Sequence, residues 1–408
     1  MTPEESAAAG SSTLREPDWP TARERAYQSG AVGPARQVAL ANAAGCVLAT
    51  DLLARNDLPA FDSSSMDGWA VSGAPPWRVT QTVLAGDRPQ PLLAGEAADI
   101  ATGAQLPVGT QAVLRREGGV THDGLLTPSD GIAPPADKDM RRRAEEAREG
   151  EKLLPAGSVV TPVTLGLAAA AGHDWLMVYP QPTVDVFIMG DELLMEGTSG
   201  DGRLRDALAP QAAGWLTSIG AVPAGIRQVP DDQDATVDAI RNSDADLVMT
   251  TGGTARGPVD QLHPALTTLG ARLIVDQVAV RPGHPMVLSR LPDGRPAIGL
   301  PGNPLAAAVG FVSLAWPLID ASRGVPLASL EVATLAGDIS APPHSHRLLP
   351  SRRQGVTVTP VMHHGPAMLS GLAEANVLAV APPGGASDGE AVSVLPLPWS
   401  PPLAPNGH

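Results

Sequence analysis

The chain has 408 residues, of which 43% are hydrophobic and 17% are charged, and its formal net charge is -15 at pH 7. This length exceeds what one hydrophobic core usually serves, so roughly two to four domains are expected in a soluble protein. The strongly acidic balance excludes a protein that binds nucleic acid through its phosphate backbone.

The first part of the chain predicts a small β-rich domain. Residues 1–17 are small and polar without periodicity, so we predict a disordered tail there. A short helix is expected at 37–44, followed by an extended segment at 46–53. Short runs of β character, separated by Gly, Pro and Asp, follow at 77–83, 111–115 and 124–128. A helix at 165–171 and a strand at 175–179 complete this part.

Apolar strands then alternate with amphipathic helices. The predicted strands are 184–189, 225–229, 247–249, 273–275, 286–288 and 297–299, and the predicted helices are 206–219, 235–241, 259–269 and 305–321. This alternation predicts a three-layer α/β domain, in which helices cover both faces of a mostly parallel sheet. Short runs at 330–335, 355–360 and 391–395 then predict a small C-terminal β domain.

These patterns give a multidomain chain of α/β and β-rich parts. The predicted boundaries are a disordered tail at 1–17, a helical and extended linking domain at 18–52 and 155–182, a β-rich domain at 53–154, an α/β domain at 183–325 and a C-terminal β domain at 326–400.

The sequence gives no indication of a disulfide framework, a signal peptide or a membrane span. The single cysteine, Cys46, excludes an internal disulfide framework and is expected to be a buried, inert thiol. The N-terminus has no apolar core, so it does not resemble a signal peptide. The longest apolar stretch, 304–319, is shorter than the ~20 residues of a membrane span and contains Pro317. A cytoplasmic protein without a membrane span is therefore expected, and the spacing of its histidines predicts no zinc site.

Two glycine-containing turns follow buried strands in the α/β part. The first is TTGG at 250–253, and the second is LPGNP at 300–304. In an open α/β sheet, turn amides and a helix N-terminus at such positions meet an anionic ligand. The sequence therefore predicts a cleft for a phosphorylated molecule, lined by Gly252, Gly253, Pro301, Gly302, Asn303 and Pro304.

Carboxylates also follow these strands, as Asp191-Glu192, Asp231-Asp232 and Asp260. The carboxyl ends of parallel strands meet at one edge of the sheet, and Mg²⁺ binds there through one or two carboxylates, phosphate oxygens and water. The alternative is that each carboxylate caps a helix or is a solvated loop charge. For Asp231-Asp232 the alternative is favoured, whereas for Asp191-Glu192 the two interpretations weigh equally.

Two further segments carry polar groups. Thr102 lies in a shaped turn at 100–107, where its hydroxyl can face a ligand. The arginines at 141–143 can bind an anion, although a charge run is more often a solvated face paired with neighbouring acidic residues.

Six motifs, in order, resemble the molybdopterin molybdenumtransferases, the MoeA family, which includes the E domains of gephyrin and its plant counterpart. They are FDSSSMDGWAV at 61–71, TGA at 102–104, GDEL at 190–193, TGG at 251–253 with Asp260, RPG at 281–283 and LPGNP at 300–304. The resemblance covers about residues 18–400.

The resemblance implies an elongated, dimeric protein of four domains whose α/β domain binds the pterin. It implies that adenylated molybdopterin and molybdate are the substrates, that a divalent metal such as Mg²⁺ assists cleavage of the adenylate, and that AMP is released. It places Asp67, Thr102, Glu192, Asp260 and one of Asp231 and Asp232 at catalytic positions, with Arg281 at the bound oxyanion. The implied metal ligands are Asp67, Glu146, Glu192 and Asp260.

Several polar positions of the family differ in this chain. The usual Gly-Gly-Val-Ser run ends in Thr254-Ala255, the usual Asp-Ser/Thr-Asn run is Asp206-Ala207-Leu208, and the usual serine after the second turn is Ala306. The family's lysines correspond to Gln277, Arg281 and His284. These differences favour a second hypothesis, a non-catalytic, gephyrin-like homodimer that binds partner proteins, whereas the retained carboxylates favour the transferase.

Overall fold

The computed structural model describes residues 12–254 and 260–400. The chain forms two compact units. One, the β-rich unit, consists of Arg36–Ala44 and Leu48–Val178, and the other, the α/β unit, holds the remaining described residues. Most of the predicted tail, at 1–11, lies outside the described residues, and the predicted domain boundaries stay a prediction.

The helices and strands are numbered in chain order. The helices are α1 Trp19–Gln28, α2 Pro162–Ala170, α3 Ala209–Ser218, α4 Gln233–Arg241, α5 Leu262–Thr268, α6 Pro304–Gly310, α7 Trp316–Arg323 and α8 Ser370–Glu374, with 3-10 turns at Leu40–Asn42 and Arg116–Gly118 and a π-helical segment at Phe311–Ala315. The strands are β1 Leu14–Arg15, β2 Arg36–Ala39, β3 Val47–Leu48, β4 Leu52–Leu53, β5 Ser63–Ser64, β6 Gly68–Val71, β7 Trp77–Val83, β8 Glu96–Ile100, β9 Ala112–Arg115, β10 Gly119–His122, β11 Leu125–Pro128, β12 Met140–Arg141, β13 Lys152–Leu154, β14 Trp175–Tyr179, β15 Thr183–Met189, β16 Leu193–Leu194, β17 Leu204–Arg205, β18 Val222–Val229, β19 Leu247–Thr251, β20 Arg272–Asp276, β21 Val280–Arg281, β22 Val287–Arg290, β23 Pro296–Leu300, β24 Glu331–Leu335, β25 His346–Gln354, β26 Thr357–Pro360, β27 Val377–Ala381 and β28 Ala391–Pro396.

A seven-stranded sheet organises the α/β unit, in the order β1-β20-β22-β23-β19-β15-β18. Strands β23, β19, β15 and β18 are parallel neighbours, whereas β22 runs antiparallel to both β20 and β23. All of β19 is buried, as expected for a parallel strand covered on both faces. The predicted mostly parallel sheet is therefore confirmed, with one antiparallel strand that the sequence pattern did not indicate.

A long buried helix follows β23. Among the described residues, Pro304–Arg323 forms a 20-residue helix that is long and apolar enough to cross a membrane, yet 89% of its most apolar window is buried inside the protein. It thus serves as the core helix of this unit. The predicted helix at 305–321 is therefore confirmed, and it continues through Pro317, directly after the π-helical segment Phe311–Ala315. A wider, π-helical turn can accommodate proline, which donates no backbone hydrogen bond and whose ring would clash with a carbonyl of the preceding turn in a regular α-helix.

The N-terminal predictions were partly wrong. Leu14–Arg15 is not disordered but pairs in parallel with β20. The predicted helix at 37–44 is strand β2 followed by a 3-10 turn, whereas helix α1 was missed. Asp18 caps α1 by accepting the Thr21 N–H at 2.8 Å, and Pro20 occupies its first turn, a helix-start signal that is legible in the sequence.

Both predicted β regions are confirmed as β structure. The β-rich unit contains a six-stranded sheet in the order β10-β11-β7-β8-β6-β9. Near the C-terminus, five strands pair with their neighbours in the spatial order β25-β26-β24-β28-β27. Because β27 also pairs with β25, these strands close into a small barrel. Buried aliphatic side chains fill the barrel, among them Leu349, Val358 and Val394.

A buried ionic cluster joins α1 to α7. The Asp320 carboxyl is near the guanidinium groups of Arg323 and Arg23, and burial raises its pKa to about 7 although both arginines oppose this shift. Burial likewise lowers the pKa of Arg23 to about 10. Arg323 donates hydrogen bonds to the carbonyls of Ile219 and Gly45, at 2.6 and 2.9 Å.

Asp320→Asn is predicted to change the pH dependence of stability. Because the folded state holds the Asp320 proton more tightly than the unfolded chain, this group makes the wild type less stable as pH rises from about 4 to about 7, by at most about 1.4 kcal/mol per pH unit. Asparagine does not titrate and so removes this pH dependence. The unfolding free energy of the variant should therefore rise relative to that of the wild type up to about pH 7, and the difference should stay constant above that pH. Urea unfolding at several pH values would measure this, and parallel pH profiles would contradict it.

Candidate active site

A cavity of about 750 Å³ lies at the carboxyl ends of the parallel strands β23, β19, β15 and β18. Its walls come from the segments that follow these strands and from the loop before α3. The predicted residues that line it are Glu192, Asp231, Gly252, Gly253, Pro301, Gly302, Asn303 and Pro304. The parallel arrangement explains why residues separated by more than a hundred positions meet, because all four strands end at one edge.

The two glycine turns are tied to each other. The Gly252 N–H donates a 2.9 Å hydrogen bond to the Leu300 carbonyl. Gly252 has φ +87°, and a Cβ there would lie 2.9 Å from the Met189 carbonyl oxygen. Gly302 packs so closely that its Cβ would lie 3.4 Å from the Gly252 Cα. The first turn therefore requires glycine both for its backbone conformation and for the close approach of β15.

Several donors of these turns are free. Among the described residues, the N–H groups of Gly253, Gly302 and Asn303 have no hydrogen-bond partner. Thr251 is also among the cavity residues and is 2% exposed, and its buried Oγ1 has no partner in the part of the chain that the structure describes. Buried donors without partners are costly, so this wall is suited to a polar ligand.

The predicted helix N-terminus does not contribute to this anion site. Pro304 has no N–H, and the next two amides, of Leu305 and Ala306, both donate to the Pro366 carbonyl, at 2.9 and 3.2 Å. The expectation was wrong because a loop of the same unit already satisfies the first helical donors. The free donors are those of the turns themselves.

Negative charge accumulates on the opposite part of the cavity. The Asp191 N–H donates to Asp231 Oδ2, and the Asp231 N–H donates to Asp191 Oδ1, both at 3.2 Å. Burial raises the pKa of Asp231, and the negative charges of Asp191 and Glu192 raise it further. The hydrogen bond from the Asp191 N–H lowers it in part. A bound cation would relieve this repulsion.

The structure separates Asp231 from Asp232. Asp232 is the N-cap of α4, where its carboxylate accepts the Ala235 N–H at 2.8 Å. Only Asp231 of this pair is among the cavity residues. The capping interpretation is thus confirmed for Asp232, and Asp231 is the functional candidate.

Asp260 and Arg281 are not among the residues that line the cavity. Asp260 Oδ2 is 2.7 Å from His263 Nδ1, and His263 Nε2 is 3.2 Å from Asp276 Oδ1. Arg281 is exposed, and its guanidinium donates to the Val280 carbonyl at 3.0 Å. The structure therefore gives Asp260 a histidine partner and leaves Arg281 away from the free turn amides.

In the β-rich unit, Asp67 and Thr102 form a pair. The Thr102 N–H and hydroxyl both donate to Asp67 Oδ1, at 2.7 and 3.0 Å. The pairing of β6 with β8 places Gly68 opposite Ile100, which brings together residues 35 positions apart. The hydrogen bond from the Thr102 N–H is the main cause of the lowered pKa of Asp67. The hydrogen bond from the Thr102 hydroxyl and the charge of Arg116 lower this pKa further.

The predicted metal ligands are divided between the units. Asp67 and the exposed Glu146 belong to the β-rich unit, whereas Glu192 and Asp260 belong to the α/β unit. Among the residues that the structure describes, no group of three or more His, Cys, Asp and Glu side chains is arranged to hold a metal ion. The metal site stays a prediction.

The arginines at 141–143 are largely paired. Arg142 donates to Asp62 at 2.7 Å and contacts Asp137, and Arg143 contacts Asp57. Arg142 and Arg143 are thus paired on an exposed face, as the sequence suggested, but their partners are these aspartates and not the acidic residues that follow the run.

A larger cavity of about 970 Å³ lies beside α3 and α8, lined by apolar groups such as Trp215, Leu372 and Trp399. None of the described residues that line it has an ionisable side chain. We assign the candidate site to the smaller cavity because that one holds the carboxylates and the unpartnered donors.

Three family profiles match successive parts of the chain. They are the MoeA N-terminal region (domains I and II) at residues 19–172, a probable molybdopterin binding domain at 185–321 and the MoeA C-terminal region (domain IV) at 332–397. The chain is 34% identical over 296 residues to the molybdopterin molybdenumtransferase of Synechococcus elongatus, covering 68% of this chain and 73% of that protein. The chain belongs to the MoeA family.

Further MoeA relatives agree. Molybdopterin molybdenumtransferase 2 of Mycobacterium tuberculosis is 33% identical over 312 residues, which are 71% of this chain and 75% of that protein. The crystal structure of the molybdopterin biosynthesis MoeA protein from Pyrococcus horikosii superimposes with a TM-score of 0.72 at 24% identity, covering 95% of this chain and 99% of that one. The predicted fold is therefore that of MoeA proteins.

The altered MoeA positions fall partly in the cavity. Ala207 and Leu208 line it, so the polar groups that the family carries there are missing from its wall. Asp206 of the same run is retained, and its buried carboxylate accepts the N–H groups of Leu208 and Ala209, at 2.9 and 3.0 Å, where α3 begins. Ala255 lies outside the described residues.

Sequence reasoning missed two MoeA cavity residues, Thr251 and Arg205. Thr251 was seen only as part of the glycine motif, and its orphaned hydroxyl is visible only in the packed strand. Arg205 follows a polar loop without periodicity. The sequence pattern that could have indicated Arg205 is a basic residue directly before Asp206, and this pattern alone does not predict a cavity residue.

Gly252→Ala is predicted to destabilise the protein more than Gly294→Ala. Both glycines have positive φ, +87° and +91°, but only the Cβ at 252 meets backbone, whereas nothing lies within 4 Å of the Cβ at 294. The control should lose about 1–2 kcal/mol of unfolding free energy for the φ angle, and Gly252→Ala roughly 2 kcal/mol more for the clash. Equal losses in denaturant titrations would show that the turn has room.

Thr102→Val is predicted to raise the pKa of Asp67 only partly toward its ordinary value. The substitution removes the hydroxyl donor but keeps the N–H donor, which is the larger cause of the lowered pKa. A carboxyl-labelled NMR titration of Asp67 would measure the change. An unchanged pKa would mean that the hydroxyl does not bind Asp67 in solution.

Proposed function

We propose that this MoeA protein is a molybdopterin molybdenumtransferase of molybdenum cofactor biosynthesis. Its substrates would be adenylated molybdopterin and molybdate, and its products the molybdenum-loaded cofactor and AMP. The observation that carries the proposal is the cavity at the carboxyl ends of four parallel strands, which combines free turn amides with the carboxylates of Glu192 and Asp231. Family membership supplies the identity of the ligand.

The free amides would hold the anionic part of the substrate. The N–H groups of Gly253, Gly302 and Asn303 are fixed by the bond between Gly252 and Leu300, so they need little reorganisation when the ligand binds. Because Leu305 and Ala306 donate to Pro366, the long helix adds no free amide to this set.

The carboxylates would hold a divalent cation. Glu192 and Asp231 suit Mg²⁺, which takes one or two carboxylates beside phosphate oxygens. Burial raises the pKa of Asp231, and the charges of Asp191 and Glu192, which a cation would offset, add to this shift. When bound, Mg²⁺ would neutralise the phosphate oxygens as the phosphoanhydride breaks. In our proposal Asp67, Glu146 and Asp260 remain further candidate metal ligands, and a soluble, cytoplasmic homodimer is the form of the protein. The hydrogen bonds from Thr102 lower the pKa of Asp67 and so favour its ionised form.

The alternative is a non-catalytic, dimeric scaffold for partner proteins. One observation favours it, namely the large apolar cavity beside α3 and α8, which has no ionisable group and suits an apolar segment of a partner. The polar positions replaced by Ala207 and Leu208 point in the same direction.

Release of AMP separates the two functions. The purified chain, incubated with adenylated molybdopterin, molybdate and Mg²⁺, is expected to release AMP that chromatography detects. Glu192→Gln and Asp67→Asn should each reduce the rate by at least about a hundredfold, because each removes a carboxylate that is proposed to bind the Mg²⁺.

Glu196→Gln is the matched control. Glu196 is exposed in the loop that follows Glu192 but does not line the cavity, so this variant should release AMP at the wild-type rate. A folded wild type that releases no AMP would favour the scaffold. Equal loss in Glu192→Gln and Glu196→Gln would show that the cavity is not the reacting site.

A further inference from the structure

A short turn after β15 carries Glu192 to the candidate cavity. The turn runs from Gly190 to Leu193, and the Leu193 N–H closes it by donating to the Gly190 carbonyl at 3.1 Å. Glu192 lines the cavity, while Asp191 exchanges hydrogen bonds with Asp231. The position of the Glu192 carboxylate therefore depends on how firmly the backbone of this turn is held.

The Glu192 carboxylate lies over the first residue of its own turn. Gly190 has φ +137°, and a Cβ there would lie 2.9 Å from Glu192 Oε2 and 3.0 Å from Leu193 Cδ1. The turn therefore needs glycine at position 190 for its backbone conformation and for the close approach of the carboxylate. A shift of the Gly190 backbone would move the surface on which this carboxylate rests.

The side chain of Gln228 holds both ends of the turn. Its Nε2 donates to the Gly190 carbonyl at 3.0 Å and, over a longer distance of 3.4 Å, to the Leu193 carbonyl. A primary amide carries two N–H donors, so one glutamine can serve two carbonyls. The Leu193 carbonyl also accepts a hydrogen bond from the Arg203 guanidinium at 3.3 Å. Gln228 belongs to β18 and lies opposite Ile188 of β15, so it ties the turn to the neighbouring strand.

Gln228 supports the site without forming part of its wall. It is not among the described residues that line the cavity, and its side chain carries no charge with which to bind a cation or an anion. An exposed glutamine on a strand at the end of a sheet commonly contacts only solvent. The two hydrogen bonds to one turn give this glutamine a specific structural contact.

We propose that Gln228 is a positioning residue for Glu192. By holding the carbonyls of Gly190 and Leu193, it fixes the turn and so keeps the Glu192 carboxylate where a divalent cation would bind. Precise placement of a metal-binding carboxylate matters because small displacements of reacting groups lower the rate of a reaction strongly. This role rests on the proposed function for the identity of the cation and of the reaction.

Hydrogen exchange tests the contact itself, without turnover. Gln228→Met keeps the length of the side chain and removes both donors. Amide exchange of the full chain, read by mass spectrometry on a peptide that contains residues 190–193, should become at least about fivefold faster in this variant. Its melting temperature should stay close to that of the wild type because Gln228 is exposed.

Gln233→Met is the matched control. Gln233 lies closer to Asp231 in the sequence, but its Nε2 donates to the Thr268 hydroxyl at 2.9 Å and not to the turn. This control should leave the exchange of residues 190–193 and the rate of AMP release as they are in the wild type.

The kinetic test separates positioning from a general effect on stability. In Gln228→Met, kcat for AMP release should fall about tenfold while KM for adenylated molybdopterin changes by less than about twofold. The loss is expected in kcat because the cation acts on charge that develops as the phosphoanhydride breaks. When Glu192→Gln is already present, Gln228→Met should lower the remaining rate by less than about twofold, since the carboxylate that it positions is gone.

Three outcomes would overturn the role of Gln228. They are unchanged exchange of the turn in Gln228→Met, an equal loss of rate in Gln233→Met, and a full tenfold loss from Gln228→Met when Glu192→Gln is present. The proposed function fails on a different result, the absence of AMP release from the wild type. Faster exchange in a chain that releases no AMP would reject the transferase and the positioning role with it, while the contact between Gln228 and the turn would stand.

Discussion

The hydrogen bond from the Gly252 N–H to the Leu300 carbonyl joins the two turns on which the candidate site depends. It continues the parallel pairing of β19 with β23 one residue beyond the strands, at the edge where ligands bind in such sheets. With Gly252 held there, the next amide, of Gly253, is left without a partner among the described residues. A side chain at position 252 would instead push against β15. The geometry of the sheet and the proposed ligand site therefore both require glycine at position 252.

Charge is the second constraint on this cavity. Asp231 and Glu192 line the cavity that is proposed for an anionic substrate. Burial raises the pKa of Asp231, and the charges of Asp191 and Glu192 add to this shift. A divalent cation would offset this charge between carboxylate and phosphate. Arg205, placed by the ladder of β16 with β17, is the basic side chain among the described residues of the cavity wall.

Several carboxylates have partners within the protein. Asp18 and Asp232 each cap a helix through backbone N–H groups, and Asp206 accepts the N–H groups of Leu208 and Ala209 at the start of α3. Asp260 contacts His263, which also contacts Asp276. An acidic residue after a strand therefore has two competing uses, since the first turn of the next helix needs an acceptor as much as a cation does. Of the carboxylates predicted in the α/β unit, Glu192 and Asp231 are those that the structure leaves for the cavity.

The sequence by itself determined the alternation of strands and helices, the two glycine turns and the family, because periodicity and short motifs are local properties of the chain. It misjudged 37–44, where short-range periodicity favoured a helix but pairing with β14 decided on a strand. Only the tertiary structure decided between Asp231 and Asp232, occupied the helix amides with Pro366, and brought Arg205 to the cavity. Each of these depends on which donor meets which acceptor across distant segments, and no local pattern of residues records that.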